Sequence, residues 1–359
     1  MLITNYLNVQ IAGDSHGPAV YGIVEGFPFG FDVDVEKING DLKLRQIGYG
    51  RGSRMKQECD EVKFESGLWK GFTTNMPIVM RIKNRGTYPE GDDERTLPRP
   101  GHADYSAYMK YKNKDMRIYA EGASARRTAA IVAVGSLCKQ WLEKRGVFVL
   151  SFVESCGEIG TRMNFENLKI EELRARRNES PVFCPDLETS KKIVKKIDEV
   201  RNEGDTLGGT VKTFVRNFPA GMGSFSSAQS RMDSVLGANI FSIPSVKGFF
   251  IGNPASHLRR GLEVHDRFGK ENDEIVRLSN NAGGIEGGIS NGMPIVTTSY
   301  LKPIPSISAG IESVDLVTGE EKKVEYVRSD VTAISPAAIV IEAITAITAA
   351  DFCLNDGGM

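Results

Sequence analysis

The segment "PAAIVIEAITAITAA" (336–350) is the most apolar stretch of the chain, and the interpretation of the fold starts from it. Alanine, isoleucine, valine and threonine fill it, and Glu342 at its centre is its one charged residue. A helix that spans a bilayer needs about 20 apolar residues, which is more than this run supplies. We therefore predict a helix over 336–354 that is buried in the protein core, and we expect no association with a membrane.

Strand and helix patterns alternate around this segment. Strands are predicted at 61–69, 77–82, 147–154, 208–217, 247–252 and 294–301, and further helices at 35–46, 103–112, 124–145, 188–203 and 227–240. In the helix over 124–145, Ser124 is the expected N-cap and Gly146 the expected C-cap. Because the strands come in groups, an α+β fold is favoured over a doubly wound sheet. No shift in composition marks a linker, so we expect one domain over residues 1–359.

The composition argues against several classes of protein. The formal net charge is -1, so no overall positive field points to nucleic acid or to an anionic membrane as a partner. The five cysteines are scattered without a CxxC pair, which favours reduced thiols over disulfides or a zinc site. The N-terminal segment lacks the basic and long apolar regions of a signal peptide. We expect a cytoplasmic protein that holds no metal ion.

Two histidines lie in loops framed by glycine and proline. His16 lies in "GDSHGP" (13–18) and His102 in "LPRPGHADYS" (97–106). Each loop is consistent with a histidine that caps a tight turn, and also with a proton donor held on backbone that approaches a ligand closely. His102 precedes a predicted helix, whose dipole disfavours a positive charge on the ring. His257 and His265 lack metal-ligand spacing and are expected to be solvated or capping residues.

Several arginines lie in the glycine loops or beside these histidines, namely Arg45, Arg51, Arg54, Arg99 and Arg126. Arginine pairs with phosphate and carboxylate through a bidentate fork, and "GASAR" at a helix N-terminus would add backbone donors for an anion. The cluster therefore predicts a small polyanionic ligand. Asp330 in "VRSDVTAISP" (327–336) lies beside Arg328 and is either a salt-bridge partner or a base. No loop matches Walker A or a dinucleotide-binding fingerprint.

A series of segments in a particular order resembles the chorismate synthase family, and the resemblance spans essentially the whole chain. The segments are "GDSHGP", "GYGRGSRMKQE", "RPGHADY", "ASAR", "GDTLGG", "PAGMGS", "IPSVKGFFIG", "NNAGGIEGGISNG", "KPIPSI" and "RSD". Their order and spacing make the resemblance specific. The chain departs from the family pattern at Asp14, which is usually Glu, at Arg127, which is usually Glu, and at the start of "EGAS".

The resemblance implies a fold, a reaction and an assembly. The expected fold is a β-α-β sandwich in which helices pack between antiparallel sheets, and the expected assembly is a homotetramer. The expected reaction is an anti 1,4-elimination that removes phosphate and the C6 proton from 5-enolpyruvylshikimate 3-phosphate to give chorismate, the last common step of the shikimate pathway to aromatic amino acids. The family requires reduced flavin mononucleotide (FMN), although the reaction is redox-neutral overall.

The resemblance also assigns roles to residues. His16 would protonate or stabilise the reduced flavin, His102 would help the phosphate to depart, and Asp330 would assist removal of the C6 proton. The substrate would be held by Arg45, Arg51, Arg54, Arg99 and Arg126. The flavin would contact Gly122, Ala123, Ser124, Pro244, Ser245, Gly287, Lys302, Pro303, Ile304, Pro305, Ser306 and Arg328.

Two other functions are consistent with these residues. Some members of the family reduce their own flavin with NADPH, which Arg45 and Arg51 could contact, while others would depend on a separate flavin reductase. A different flavin-dependent reductase is therefore one alternative. A regulatory module that binds a phosphosugar or a nucleotide without reaction is the other, although the paired histidines in preorganised loops argue against it.

Overall fold

The computed structural model describes residues 2–51, 60–86, 94–324 and 330–355. Its helices are α1 (Val35–Gln46), α2 (Asp104–Tyr111), α3 (Met116–Ala123), α4 (Thr128–Glu143), α5 (Ile170–Glu179), α6 (Leu187–Glu203), α7 (Met232–Phe241), α8 (Gly261–Val264) and α9 (Ile334–Asn355). Its strands are β1 (Asn8–Ala12), β2 (Ala19–Glu25), β3 (Val62–Ser66), β4 (Leu68–Trp69), β5 (Phe72–Thr73), β6 (Ile78–Lys83), β7 (Phe148–Cys156), β8 (Ile159–Gly160), β9 (Gly209–Arg216), β10 (Val246–Ile251), β11 (Phe268–Glu271), β12 (Glu274–Arg277), β13 (Ile285–Glu286), β14 (Ile289–Ser290), β15 (Ile295–Leu301), β16 (Ile311–Val314) and β17 (Glu321–Val324).

Two antiparallel sheets enclose a layer of helices. The first sheet has the strand order β1-β2-β6-β3, and the second has the order β10-β15-β9-β7-β8. Between them, α4 packs on β2 and β6 of the first sheet, α9 packs on β7 and β9 of the second, and the two helices pack against each other. This arrangement confirms the predicted α+β fold with helices between antiparallel sheets.

The apolar segment forms the buried helix α9, as predicted. The prediction that the segment is too short to span a bilayer was wrong. α9 has 22 residues and is long and apolar enough to cross a bilayer, the one helix of the described residues with that property. Its most apolar window is 94% buried inside the protein. α9 is therefore a core helix because other elements cover it on all sides, and not because it is too short to span a membrane.

A glycine allows α4 and α9 to approach closely. A Cβ atom on Gly135 of α4 would lie 2.4 Å from both the Cα and the Cβ of Ala343 in α9, which is far inside van der Waals contact. Gly22 of β2 serves a similar purpose on the other side of α4, where a Cβ would lie 2.7 Å from Val134. The core therefore depends on the absence of side chains at the two places where α4 meets its neighbours.

Glu342, the one charge in the apolar segment, is buried in an ion-pair network. Its carboxylate lies 2.5 Å from the Nζ of Lys139 in α4 and 2.7 Å from the Nη1 of Arg177 in α5. The backbone N–H of Ser151 in β7 donates to it at 2.8 Å. Burial alone would raise the pKa of Glu342, but Lys139 and Arg177 hold it below its ordinary value. A single carboxylate thus ties α9 to α4, α5 and the second sheet.

Each strand and helix that the sequence predicts has a counterpart in the structure, but the structure also contains elements that were not predicted. The predicted strands are all present, and the helices at 35–46, 103–112 and 188–203 are correct to within one residue at each end. The helix predicted over 124–145 begins instead as a 3-10 turn at Ala125–Arg127, so that α4 starts at Thr128. Half of the elements were not predicted, namely β1, β2, β5, β8, β11 to β14, β16, β17, α3, α5 and α8, and α7 begins at Met232 rather than at 227.

Replacing Gly135 with alanine is expected to destabilise the protein by about 1–3 kcal/mol, because the added methyl group forces α4 and α9 apart. Gly40→Ala is the matched control, since Gly40 also lies within a helix, α1, and a Cβ there would meet nothing within 4 Å. The control is expected to gain about 0.5–1 kcal/mol through helix propensity. Urea unfolding measures both changes, and equal stability of the two variants would contradict the close approach.

Candidate active site

The loop that carries His16 joins β1 to β2 and is held by its own backbone and by Asn84. Gly13 has φ +101°, and a Cβ there would lie 2.4 Å from the carbonyl oxygen of Ala19, so only glycine fits. Asn84, which directly follows β6, donates from Nδ2 to the carbonyls of Asp14 at 2.9 Å and Gly17 at 2.7 Å. Packing against Ala19 therefore requires glycine at position 13, whether or not a ligand binds. The loop is anchored by Asn84 at the end of β6.

The imidazole of His16 contacts a carboxylate that the sequence analysis did not identify. Glu121 in α3 accepts a hydrogen bond from the backbone N–H of His16 at 2.8 Å, and its other oxygen lies 2.5 Å from the Nδ1 of the same residue. Both side chains are mostly buried, with 28% of His16 and 17% of Glu121 exposed. No sequence signal separates Glu121 from an ordinary helix residue, because its partner lies 105 positions away.

Two of the predicted arginines share one buried carboxylate. Asp60, just before β3, lies 2.8 Å from the Nη1 of Arg126 through both oxygens and 3.3 Å from the Nη1 of Arg45. Arg45 also donates from Nε to the hydroxyl of Thr128 at 2.9 Å, and Arg126 donates from Nε to the Oδ1 of Asn84 at 2.6 Å. Asp60 and Asn84 were not predicted, although they hold the arginine side chains in place.

Asp330 forms an ion pair with Arg51, a residue far away in the chain, while its chain neighbour Arg328 lies outside the described residues. The Nη1 of Arg51 lies 2.9 Å from the Oδ2 of Asp330. The Nε of Arg51 is buried and has no hydrogen-bond partner within the described ranges. A buried, unpartnered guanidinium nitrogen is costly unless a ligand accepts its hydrogen bond. This atom is therefore a donor that an anionic ligand could use.

These residues surround a cavity of about 320 Å³, which we call the arginine cavity. Its wall combines cationic, anionic and apolar groups. Predicted site residues in its wall are His16, Arg45, Arg51, Ser124, Arg126, Pro244, Ser245 and Asp330. Segments that are far apart in the chain thus meet at one place, including the N-terminal ends of α4 and α9.

A second cavity of about 620 Å³ adjoins His16, and we call it the Arg99 cavity. His16 lines both cavities, whereas Arg99, Asp104 and Glu121 line the second. The guanidinium of Arg99 pairs with Asp104 through Nε at 2.7 Å and Nη2 at 2.9 Å. His102 lines neither cavity but contacts this pair, with Nδ1 2.5 Å from the Oδ1 of Asp104 and 2.9 Å from the Nη2 of Arg99.

Asp104 changes the electrostatic setting predicted for His102. The sequence argument considered only the dipole of the following helix, which disfavours a positive ring. The structure adds a fully buried carboxylate, whose Oδ1 lies 2.5 Å from the Nδ1 of the ring. Burial alone would raise the pKa of Asp104, but hydrogen bonds from His102 and Arg99 hold it well below its ordinary value.

The predicted cofactor segment 302–306 lies against the loop that carries His102, without lining either cavity. The ammonium of Lys302 donates to the carbonyl of Gly101, next to His102. Its backbone N–H donates to the carbonyl of Ser245 at 2.9 Å. Burial and the nearby Lys247 lower the pKa of Lys302. The carbonyl of Ile304 accepts from Thr206 at 2.8 Å. Pro303, Pro305 and Ser306 continue this segment.

Some predicted site residues are not brought to the cavities within the described structure. Gly122 and Ala123 end α3 just outside the arginine cavity, and the carbonyl of Gly122 accepts a hydrogen bond from Arg127 at 2.7 Å. Arg127 lines neither cavity. Gly287 lies in the turn between β13 and β14, where Arg231 donates to its carbonyl at 3.3 Å. Arg54 and Arg328 lie outside the described residues.

Taken together, the arginines, the histidine paired with Glu121 and the two adjoining cavities define an enzyme site for a small polyanion.

Comparison with known proteins identifies the family to which the chain belongs. The family model described as chorismate synthase matches residues 7–354. Chorismate synthase from Thermotoga maritima is 47% identical over 352 residues, covering 98% of this chain and 92% of the relative. The enzyme from Desulforudis audaxviator is 41% identical over 366 aligned positions, covering 98% and 93%.

Comparison with a solved structure identifies the same family. A crystal structure of chorismate synthase superimposes with a TM-score of 0.79 at 33% identity, covering 99% of this chain and 94% of the other. The chain belongs to the chorismate synthase family and is a lyase. The resemblance inferred from the ordered sequence segments is thereby confirmed.

Replacing Asp104 with asparagine is expected to destabilise the protein by about 3–5 kcal/mol at neutral pH, because Arg99 and His102 lose a buried anion. Since folding lowers the pKa of Asp104, its contribution is present above the ordinary aspartate value of 3.8 and is lost as the pH falls below it. Urea unfolding of both proteins at a series of pH values should show the difference shrinking in acid.

Asp273→Asn is the control for this experiment, since Asp273 is 93% exposed and pairs only at the surface with Lys270. Its effect is expected to stay within about 0.5 kcal/mol at every pH. A loss in Asp104→Asn no larger than that of the control would contradict the role assigned to the Arg99–Asp104–His102 cluster.

Proposed function

We propose that the chain converts 5-enolpyruvylshikimate 3-phosphate into chorismate and phosphate, and that it requires reduced FMN. Membership of the family supports the overall reaction. The observation that carries the proposal is that His16, Arg45, Arg51, Arg126 and Asp330 surround a single cavity. A site of this composition matches a ligand with one phosphate and two carboxylates.

The charges of the arginine cavity favour an anionic substrate. Among the described residues that line it, five are cationic and two are carboxylates, namely Arg45, Arg51, Lys83, Arg85 and Arg126 against Asp60 and Asp330. Arg51 pairs with Asp330 through Nη1 but leaves its buried Nε for a ligand. Because Asp60 and Asp330 hold these side chains before any ligand binds, little conformational entropy is lost on binding. We assign substrate contacts to these arginines and to Arg99, with Arg54 as a further candidate.

The residues present fit FMN beside the substrate. Pro244 and Ser245 line the arginine cavity, and the hydrogen bond from Lys302 to Ser245 holds two of the predicted flavin segments side by side. Ile243 and Leu301 line the same wall and supply an apolar surface for a planar ring. We assign Ser124, Pro244, Ser245 and the 302–306 segment to FMN binding. Reduced FMN, when bound, supplies electron density as the phosphate leaves.

The side chains account for the bonds that change. The C3–O bond to phosphate breaks, and phosphate departs with that electron pair. The C6–H bond breaks as well, and its electron pair forms part of the new conjugated diene. We propose that Asp330 takes part in removing the C6 proton, that His102 assists the departing phosphate beside Arg99, and that His16 supplies a proton on the flavin side.

The source of reduced flavin has two candidate routes, NADPH bound by this chain at Arg45 and Arg51, or a separate flavin reductase. Substrate turnover with FMN and NADPH, and with no other reductant or enzyme, would establish the first route. Turnover that appears only after a reductase is added would establish the second. Either result leaves the elimination chemistry unchanged.

We also propose that the chain is one domain that assembles as a homotetramer in the cytoplasm. The large apolar side chains of Phe29, Trp69 and Leu262 are 77%, 69% and 97% exposed, which supports a further covering surface. The buried free thiols of Cys138, Cys156, Cys184 and Cys353 are compatible with a reducing compartment. The near-zero net charge gives no support to a nucleic acid or membrane partner.

An anaerobic assay with purified protein, reduced FMN and 5-enolpyruvylshikimate 3-phosphate tests the proposed reaction. Chorismate absorbance and phosphate release are expected to appear together, and only with reduced FMN. His102→Ala is expected to lower kcat by at least about 100-fold, as for loss of a general acid. His257→Ala is the control, since His257 is exposed and bonds only to the carbonyl of Pro254.

The same assay separates the alternatives. Binding of substrate with no chorismate under any condition would favour a regulatory binding module. Oxidation of NADPH without phosphate release would favour a different flavin-dependent reductase. An equal loss of turnover in His102→Ala and His257→Ala would contradict a chemical role for His102.

A further inference from the structure

The contact between His16 and Glu121 determines which nitrogen of the imidazole carries a proton. The backbone N–H of His16 can only donate, and it donates to Oε2 of Glu121 at 2.8 Å. The Nδ1 of the same residue lies 2.5 Å from Oε1. An ionised carboxylate accepts hydrogen bonds and cannot donate them, so Nδ1 must carry a hydrogen. Nε2 is then the ring nitrogen that remains for a ligand.

Glu121 is dedicated to this contact. Among the described residues, His16 is its hydrogen-bonding partner, and both of its carboxylate oxygens are used. The helix α3 that carries it is fixed at both ends. Asp115 caps its start by accepting from the backbone N–H of Arg117 at 3.0 Å, and Arg127 donates to the carbonyl of Gly122 at its end at 2.7 Å. The carboxylate is therefore presented to His16 from a rigid support.

The position of His16 gives the contact a chemical consequence. His16 lines both the arginine cavity and the Arg99 cavity, and 28% of its side chain is exposed. A ring that could rotate or exchange tautomers would present either nitrogen to a ligand. With Nδ1–H bonded to Glu121, the neutral ring presents the lone pair of Nε2, and the protonated ring presents Nε2–H.

We propose that Glu121 is a positioning residue that fixes His16 in the Nδ1–H tautomer and directs Nε2 toward the cavities. The carboxylate also balances the positive ring when Nε2 is protonated, as a buried acid does for a catalytic histidine. The catalytic consequence of this proposal rests on the proposed function, because it takes His16 as the group that exchanges a proton with a bound ligand. The tautomer itself does not depend on that function.

The substitution Glu121→Gln is expected to invert the tautomer of His16 rather than only to remove its hydrogen bond. Glutamine keeps the shape of the side chain but offers one acceptor oxygen and one donor amide. Since the backbone N–H of His16 must donate, the oxygen is expected to turn to it, and the amide then faces Nδ1. An amide N–H can bond only to an unprotonated Nδ1, so the neutral ring is forced into the Nε2–H tautomer.

Long-range proton–nitrogen NMR correlation on protein labelled with 15N-histidine tests this inversion in the protein alone, with neither FMN nor substrate. The chain has only four histidines, and loss of one set of signals in His16→Gln assigns that residue. Wild-type protein at a pH where the ring is neutral is expected to show Nδ1 protonated and Nε2 bare. Glu121→Gln is expected to show the reverse pattern.

Two further variants keep the test decisive. Glu121→Asp retains two acceptor oxygens and is expected to restore the Nδ1–H tautomer, even if it does not restore full turnover. Glu94→Gln removes a carboxylate that lines the Arg99 cavity without a hydrogen bond to His16, and it is expected to leave the tautomer unchanged. A wild-type Nε2–H tautomer, or the same pattern in wild type and Glu121→Gln, would overturn the proposal.

Turnover measured separately distinguishes this proposal from the proposed function. Glu121→Gln is expected to lower kcat at least about 10-fold with little change in KM, because the ring is misdirected while the arginines stay in place. An inverted tautomer with unchanged kcat would overturn the catalytic part of the proposal. Absence of chorismate even with wild-type protein would refute the proposed function, while the NMR result would still decide whether Glu121 positions the ring.

Discussion

The contact between α4 and α9 is the constraint on which the rest of the structure depends. Gly135 lets the two helices touch, and the carboxylate of Glu342 bonds Lys139 close beside that contact. A charge buried to this degree is tolerated only with partners on every side, so the network fixes the rotation of both helices as well as their separation. One sheet is packed on each helix, and the spacing of the whole sandwich follows from this pair.

The same pair of helices sets the geometry of the active site. Thr128 near the start of α4 and Pro336 near the start of α9 both line the arginine cavity. In each helix this residue precedes the Gly135–Ala343 contact by a similar number of positions, so the two helices run in the same direction. The positive N-terminal ends of both helices therefore face one cavity, where their dipoles add to the charge of the arginines. Asp60 and Asp330 keep that concentration of positive charge from forcing the side chains apart.

Much of the fold was predictable because strand alternation and helical periodicity are local signals. β2 escaped prediction because Gly22 replaces an apolar side chain where α4 packs, and α5 because charged residues dominate it. The histidines and arginines were found through glycine loops and family resemblance. Asp60, Asn84 and Glu121 were not, since each acts on a partner dozens of positions away and carries no local pattern. The ion pair of Arg51 with Asp330 was equally invisible, because the two residues lie far apart in the chain.

The order of elements along the chain has a consequence for biosynthesis. α9 covers the inner face of the five-stranded sheet, yet it follows every strand of both sheets in the sequence. Until the ribosome has made residues 334–355, that face lacks the helix that contacts it most. Completion of the core must therefore wait for the synthesis of α9, and a chain without it would expose apolar surface that favours aggregation.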